Sequence, residues 1–274
     1  MITVLNIQES LPSGMIEKIK SFMVPYSIDT SFCSGKMANI FTINYTRRKG
    51  KIRFDKIYKS CIGKPKTVLC NENILPDNIP FKRFSDTEFQ TIMMKNMVIA
   101  LLKRTGQTDL KITFYDPFAE YPSFIPELLK YVTVLTVISN MPRFYENEAE
   151  RIMSETGASI IVKNDIEQLL PTDILIATVP IDKEINAGNN ELIFTVQKPL
   201  AACKGNIFYD YKLYIPSEII CKIPDSIDES YFAGALFSLC NIKELKKITP
   251  YACRYGQKLI GTDEICKILK KVIS

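Results

Sequence analysis

The fold is decided by Leu110–Ile181, which reads LKITFYDPFAEYPSFIPELLKYVTVLTVISNMPRFYENEAERIMSETGASIIVKNDIEQLLPTDILIATVPI. Short apolar runs rich in β-branched residues alternate here with segments of helical periodicity. The predicted strands are Lys111–Asp116, Val132–Ser139, Ala158–Lys163 and Asp173–Pro180, and the predicted helices are Pro126–Tyr131, Tyr145–Thr156 and Asp165–Leu170. Continuous apolar strands are typical of parallel strands that are covered on both faces. The alternation therefore predicts an α/β fold with a doubly wound parallel sheet, in which these four strands are neighbours.

The order of these elements resembles the nucleotide-binding half of NAD(P)-dependent dehydrogenases, over roughly Leu110–Pro216. The most similar piece is the strand DILIATVP, whose Thr178–Pro180 end would face a cofactor in that family. The glycine fingerprint G-x-G-x-x-G of the family is absent, because Asp116–Pro122 reads DPFAEYP. The resemblance implies a Rossmann-like fold, and a fold by itself does not imply a function.

Two domains are predicted on either side of Gly106. Residues 1–105 have the pattern of a smaller mixed α+β domain, and residues 106–274 that of the Rossmann-like domain with two closing helices. The first domain is predicted to contain a strand at Ile2–Ile7, a helix at Ser13–Met23, a hairpin of Asn39–Thr46 with Lys51–Tyr58, and a helix that begins at the Ser85/Glu88 capping box. The closing helices are predicted at Asp228–Cys240 and Thr262–Ile273.

The composition excludes several classes of function. The chain of 274 residues has no histidine, so it contains neither a Ser-His-Asp nor a Cys-His catalytic group. Its net charge of +5 is mild and gives no strong nucleic-acid signal. No apolar run approaches the ~20 residues that span a bilayer, and no signal peptide is recognisable. We therefore expect a cytoplasmic protein without a membrane partner.

Metal binding and disulfide bonding are not expected. The eight cysteines form no C-x-x-C pair, and several lie in apolar segments such as Phe237–Cys240. This distribution favours buried free thiols over a zinc site or a disulfide framework.

Candidate binding residues follow from the predicted sheet, because ligands of open α/β sheets bind outside the carboxyl ends of the strands. The residues predicted at that edge are Asp116, Ser139, Asn140, Thr178 and Asp210, with Arg143 close to Asn140. Dehydrogenases that use NAD place an acid after the second strand, whereas here Arg143 favours the 2′-phosphate of NADP. The alternative interpretation is a strand end turned by Pro142 beside a surface arginine.

The loop Asp116–Pro122 disfavours an ordinary pyrophosphate site. Such a site needs a glycine turn and a helix amino terminus that points at the phosphates. Here Pro122 and Pro126 delay the helix, and Asp116 and Glu120 bring negative charge. One like charge at ~4 Å costs about 4 kcal/mol at an effective dielectric constant near 20.

Two hypotheses of function remain. The first is a nonenzymatic or regulatory protein with a degenerate nucleotide site, which binds a small molecule in a cleft between the domains or a protein partner. The second is an NADP-dependent oxidoreductase with an atypical phosphate loop and a Lys or Tyr acid. NADP is the cofactor if there is one. The oligomeric state stays open, a homo-oligomer included.

Overall fold

The structure is a computed structural model. It describes the chain except residues 11–12, 36–37, 71–74, 76–78, 80, 108, 133, 167–170, 183–184, 186–190, 201–202, 217–222, 224–226 and 274. The chain divides into two compact units. Unit 1 contains Met1–Asp86 with Tyr214–Lys246, and unit 2 contains Thr87–Leu213 with Lys247–Ser274. The domain boundaries 1–105 and 106–274 stay a prediction.

The secondary structure consists of thirteen strands, seven helices and two 3-10 turns within the described residues. In chain order they are β1 (Ile2–Glu9), α1 (Met15–Met23), β2 (Tyr26–Ser34), β3 (Asn39–Arg47), α2 (Phe54–Ser60), β4 (Thr67–Leu69), β5 (Lys82–Arg83), α3 (Thr87–Thr105), β6 (Ile112–Tyr115), a 3-10 turn (Pro122–Phe124), α4 (Ile125–Leu128), β7 (Val134–Ile138), α5 (Pro142–Thr156), β8 (Ser159–Lys163), β9 (Ile174–Ala177), β10 (Leu192–Thr195), β11 (Asn206–Lys212), α6 (Glu229–Leu239), a second 3-10 turn (Lys243–Lys247), β12 (Ala252–Tyr255), β13 (Lys258–Ile260) and α7 (Thr262–Ile273).

Unit 2 is built on an eight-stranded sheet with the order β13-β12-β11-β10-β9-β6-β7-β8. The strands from β11 to β8 are parallel to their neighbours, and β12 and β13 add an antiparallel edge. The four strands predicted as parallel neighbours lie side by side as β9, β6, β7 and β8. The prediction of an α/β, doubly wound, Rossmann-like sheet with a smaller α+β part is therefore confirmed.

Burial explains why these strands form the centre of unit 2. Every residue of β9 and of β10 is buried, as continuous apolar strands covered on both faces require. The predicted helix Asp165–Leu170 lies mostly outside the described residues. The predicted helix Pro126–Tyr131 is shorter than expected, because it begins at Ile125 after a 3-10 turn and ends at Leu128.

Unit 1 contains a five-stranded sheet with the order β2-β3-β1-β4-β5. The predicted hairpin of Asn39–Thr46 with Lys51–Tyr58 is wrong. Strand β3 pairs antiparallel with β2 and parallel with β1, and the second predicted strand lies largely in α2. Phe54, Ile57 and Cys61 recur at helical spacing, and burial of Ile57 and Cys61 in the unit 1 core selects the helix.

Several thiols are buried, as predicted. Cys61, Cys70, Cys253 and Cys266 are buried without a disulfide bond, Cys33 is exposed, and Cys221 lies outside the described residues. Burial raises the pKa of the Cys61 thiol to about 11 and that of Cys253 to about 12. In the part of the chain that the structure describes, no three metal-ligating side chains gather. No described helix combines the length and the apolar character that crossing a bilayer requires.

Candidate functional site

Three predicted site residues meet at the carboxyl edge of the unit 2 sheet. The register places Tyr115 beside Ile138 on one side and Ala177 on the other. The residues that follow, Asp116, Ser139 and Thr178, therefore stand next to one another. All three are buried, with exposed fractions of 1%, 0% and 2%. The edge is thus closed by polar side chains that are shielded from water.

The carboxylate of Asp116 is the centre of this group, because four donors surround it. The hydroxyl of Tyr145 donates to Oδ2 at 2.6 Å, and the hydroxyl of Thr178 donates to Oδ1 at 3.1 Å. The backbone N–H of Tyr121 donates to Oδ2 at 2.8 Å, and that of Glu120 to Oδ1 at 3.3 Å. A buried carboxylate is stable only when its oxygens are bonded in this way.

The two backbone donors lie in the turn where dehydrogenases hold the pyrophosphate of their cofactor. This turn follows the first strand of the parallel sheet and leads into the next helix, here through the 3-10 turn that begins at Pro122. It bends tightly, since Ala119 has a φ of 52° and its N–H donates to the Asp116 carbonyl. In this chain the carboxylate of Asp116 accepts the N–H groups of Glu120 and Tyr121, in the turn where those enzymes bind a phosphate.

The Asp116 group is suited to holding the turn together rather than to moving protons. Burial and the neighbouring Asp116 raise the pKa of Tyr145 well above its usual range, so that its phenol stays protonated and donates. The carboxylate is already occupied by four donors. The carboxylate oxygens are engaged by these donors and the phenol keeps its proton, so neither group is free to accept a proton from a substrate.

Lys95 of α3 approaches the same turn from outside. Its ammonium lies 4.7 Å from the ring centre of Phe124 and 5.9 Å from that of Tyr121. Burial lowers the pKa of Lys95, and the carboxylates of Glu127 and Asp116 act in the opposite direction. Burial also raises the pKa of Tyr121. The lowered pKa shifts the amine of Lys95, beside the turn, toward its neutral form.

The residues after β7 are divided between the interior and the surface. Ser139 is buried, donates from its hydroxyl to the Pro117 carbonyl at 3.4 Å and accepts from the N–H of Met141. Asn140 and Arg143 are exposed, and the backbone N–H of Asn140 donates to the same carbonyl of Pro117. Arg143 has no ion pair with any residue that the structure describes, so its guanidinium is available to solvent at the start of α5.

Asp210 does not join this group. Strands β9 and β10 stand between β6 and β11, so that Asp210 is about 14 Å from Asp116 at ~4.8 Å per strand. Its carboxylate pairs with Lys212 at 2.8 Å and with Arg254 at 3.1 Å. Asp210 also has a positive φ of 54°. It is held by its own ion pairs at a bend of β11.

An open cavity lies beside β11 and β12, the strands that carry Tyr209 and Tyr255. Its volume is about 500 Å³, and it is lined by Lys198, Cys203, Tyr209 and Tyr255 among others. The cavity combines two aromatic rings with one cation, a surface suited to a small polar or anionic molecule.

Two residues of the site were not predicted. Tyr145 was placed only in a helix, although a buried tyrosine requires a partner for its hydroxyl. Lys95 lies on α3 at helical spacing from Ile92 and Ile99, at the border of the buried face of the helix. A charged residue at helical spacing from apolar residues is the sequence signal that could have indicated it.

Comparisons with known proteins find distant similarity to solved structures. No protein-family model and no curated protein matches the chain. The structure of Thermococcus litoralis Δ1-pyrroline-2-carboxylate reductase in complex with NADH and L-proline has 13% identity and a TM-score of 0.28, and the match covers 72% of this chain and 68% of that one. L-tryptophan dehydrogenase from Nostoc punctiforme has 12% identity, a TM-score of 0.33 and coverages of 99% and 81%. An archaeal alanine dehydrogenase dimer with bound NAD has 10% identity, a TM-score of 0.26 and coverages of 71% and 67%.

These structures belong to the class that the layout of Leu110–Pro216 resembles. The likeness is structural and distant, and at such scores it carries no argument about this chain's chemistry. The assignment of a Rossmann-like fold rests on the strand order and register given above.

Proposed function

We propose that this chain is a nonenzymatic binding protein on a Rossmann-like scaffold, with a first βα turn that is closed to dinucleotide phosphates. The observation that carries the proposal is the Asp116 carboxylate, which accepts the N–H groups of Glu120 and Tyr121. A phosphate at this turn has to displace a buried carboxylate that also holds Tyr145 and Thr178. It also meets the negative charge of that carboxylate, which repels it at short range.

The ligand of such a protein binds elsewhere than in the turn. The cavity beside Tyr209 and Tyr255 offers about 500 Å³ with Lys198 at its wall. These dimensions fit the range of small-molecule sites. We therefore place the proposed small-molecule site on this side of unit 2.

The proposal predicts weak dinucleotide binding. Two N–H donors are already taken, and each charge-assisted hydrogen bond is worth ~1.5–3 kcal/mol. Losing both bonds costs about 3–6 kcal/mol, and 1.4 kcal/mol is a factor of ten, so a micromolar dissociation constant rises to between roughly 0.1 and 10 mM. We expect isothermal titration to give dissociation constants in the high micromolar range or above for both NAD and NADP.

NADP is expected to be the tighter of the two, because the exposed Arg143 can contact a 2′-phosphate. The matched control is Arg143→Ala, which removes the preference for NADP and leaves NAD unaffected. Low-micromolar affinity of the unmodified chain for NAD contradicts the proposal.

The alternative is an NADP-dependent oxidoreductase that uses lysine as its acid. One observation favours it, namely that Lys95 stands beside the turn with a lowered pKa. An amine of this kind exchanges protons closer to neutral pH than an ordinary lysine does. In this alternative, Lys95→Met abolishes NADPH oxidation and leaves the fold intact.

A titration experiment tests the state of Lys95 directly. Because the folded pKa is lowered, the unfolded chain binds more protons above that pKa, and stability rises with pH up to the unfolded value. We therefore compare the free energies of unfolding of the unmodified chain and of Lys95→Met. The unmodified value minus the variant value is expected to increase between about pH 8 and pH 10. Urea titrations of both proteins at the two pH values measure the difference. A difference that does not change with pH contradicts a lowered pKa.

A further inference from the structure

Strand β2 forms an open edge of the unit 1 sheet. It pairs with β3 over all nine residues, Tyr26–Ser34, and stands last in the order β2-β3-β1-β4-β5. Within the described residues, no other strand pairs with its outer side. Asp29–Ser34 are all exposed. The N–H and C=O groups of this side are therefore presented in a regular row, which is a template for a further strand.

The composition of β2 lacks the devices that normally protect such an edge. Its sequence, YSIDTSFCS, contains no lysine, no proline and a single charge, Asp29. The pairing with β3 runs without a bulge. Phe32, on the face that carries Tyr26 and Ile28, is 57% exposed. Edges of this length and composition are unusual in proteins that remain unpaired.

The helix that precedes β2 adds an exposed apolar ridge. Met15, Ile16, Ile19, Phe22, Met23 and Val24 are between 50% and 82% exposed, and Ser21 is the buried residue of α1. A helix of nine residues is marginal in water without tertiary packing. At about 200 Å² for a fully exposed large residue, the ridge exposes roughly 800 Å², close to what each partner contributes to a standard interface.

We propose that β2 pairs with β2 of a second copy of this chain, antiparallel and about a two-fold axis perpendicular to the sheet. The two five-stranded sheets then continue into one. A second copy fits this edge because antiparallel pairing of a strand with itself satisfies two-fold symmetry automatically. The apolar ridge ends at Val24, two residues before β2 begins at Tyr26, so it is joined directly to the start of the paired edge.

The register of the pair follows from symmetry and charge. Residues that stand directly opposite each other in an antiparallel pair point to the same face of the sheet. A two-fold axis perpendicular to the sheet therefore passes beside one residue of β2, which stands opposite the same residue of the second copy. With Thr30 at the centre, all nine residues overlap, Ile28 faces Phe32 of the second copy, and Asp29 faces Ser31. A centre at Asp29 brings two carboxylates directly opposite each other, which is unfavourable. A centre at Ser31 shortens the overlap and leaves Ile28 opposite Ser34. Thr30 is therefore the centre.

Two lysine substitutions at neighbouring exposed positions test the register. Thr30→Lys places two ammonium groups directly opposite each other, and we expect the dissociation constant of the dimer to rise roughly tenfold or more. Ser31→Lys places each ammonium opposite Asp29 of the second copy, and we expect the dimer to persist. Analytical ultracentrifugation of the full chain measures both constants. A monomer at every concentration, or equal effects of the two variants, overturns the proposal.

A disulfide experiment gives a second readout. In the proposed register Ser27 faces Cys33 of the second copy, whereas the two residues within one chain are about 20 Å apart at ~3.4 Å per residue. Ser27→Cys is expected to form a disulfide-linked dimer under mild oxidation. The matched control Ser27→Cys with Cys33→Ser is expected to remain unlinked. Equal crosslinking of both variants overturns the register. Absence of crosslinking in a dimeric sample overturns the pairing of β2 with β2 of the second copy.

Discussion

Replacing Asp116 with alanine is expected to lower the free energy of unfolding by about 3–5 kcal/mol, since the change leaves several buried donors without an acceptor. The hydroxyls of Tyr145 and Thr178 and the N–H groups of Glu120 and Tyr121 all lose the carboxylate. Because whole domains are stable by about 5–15 kcal/mol, this is a large share of the total. Urea unfolding followed by circular dichroism measures it.

Three control variants separate the contributions to this loss. Asp116→Asn keeps the shape and removes the charge, and we expect it to cost about half as much as alanine. Tyr145→Phe removes one hydroxyl from the carboxylate and is expected to cost about 1–2 kcal/mol. Asp182→Ala removes an exposed carboxylate, and we expect a change within about 0.5 kcal/mol.

Formate provides a direct test that the turn requires an anion. The alanine variant lacks a carboxylate at the place where Glu120 and Tyr121 present their N–H groups, and formate has the same two oxygens. Binding to the folded state alone raises stability by mass action. We expect formate to raise the melting temperature of Asp116→Ala more than that of the unmodified chain. Equal shifts in both proteins contradict the role given to the carboxylate.

The parallel core of unit 2 could be predicted because its sequence pattern depends on burial on both faces. Strands such as ILIA in β9 are apolar at every position, and a helix of that composition would be longer and lack flanking turn residues. The same logic placed Asp116, Ser139 and Thr178 at one edge, since the carboxyl ends of neighbouring parallel strands coincide.

The β3 hairpin was mispredicted because two periodicities compete in the same few residues. Lys51–Tyr58 alternates apolar and polar residues over part of its length, which favours a strand. Ile57 and Cys61 are spaced for one face of a helix, and both enter the unit 1 core. The decisive partners are distant in sequence, so local periodicity could not choose between the two structures.

The contacts of the site were less predictable than its position. Tyr145 reaches Asp116 from α5, and Lys95 of α3 lies over the rings of Tyr121 and Phe124. Both contacts depend on the direction of a side chain that leaves a helix. Asp210 lies within β11, and its distance from Asp116 depends on β9 and β10, which stand between β6 and β11. The order of strands in a sheet is a tertiary property, and it cannot be predicted from the spacing of the strands along the sequence.

The second large effect is expected at Gly205, before β11. Its φ of +122° lies in a region that residues with a Cβ rarely adopt. A Cβ built there meets the carbonyl oxygen of Glu191 at 2.9 Å and Cδ1 of Ile193 at 3.3 Å. The carbonyl cannot move away freely, because it accepts the N–H of Asn206 at 2.8 Å where β10 and β11 begin to pair.

We therefore expect Gly205→Ala to lower the free energy of unfolding by about 3–4 kcal/mol, as the sum of backbone strain and a steric clash. Gly256→Ala is the matched control. Gly256 has a φ of +58°, and nothing lies within 4 Å of its added Cβ, so the strain remains without the clash. We expect it to cost about 1 kcal/mol. Urea unfolding of the two variants compares the losses directly. Equal losses would mean that the Glu191 carbonyl yields to the methyl group, and that the start of the β10–β11 pair is looser than its hydrogen bond to Asn206 indicates.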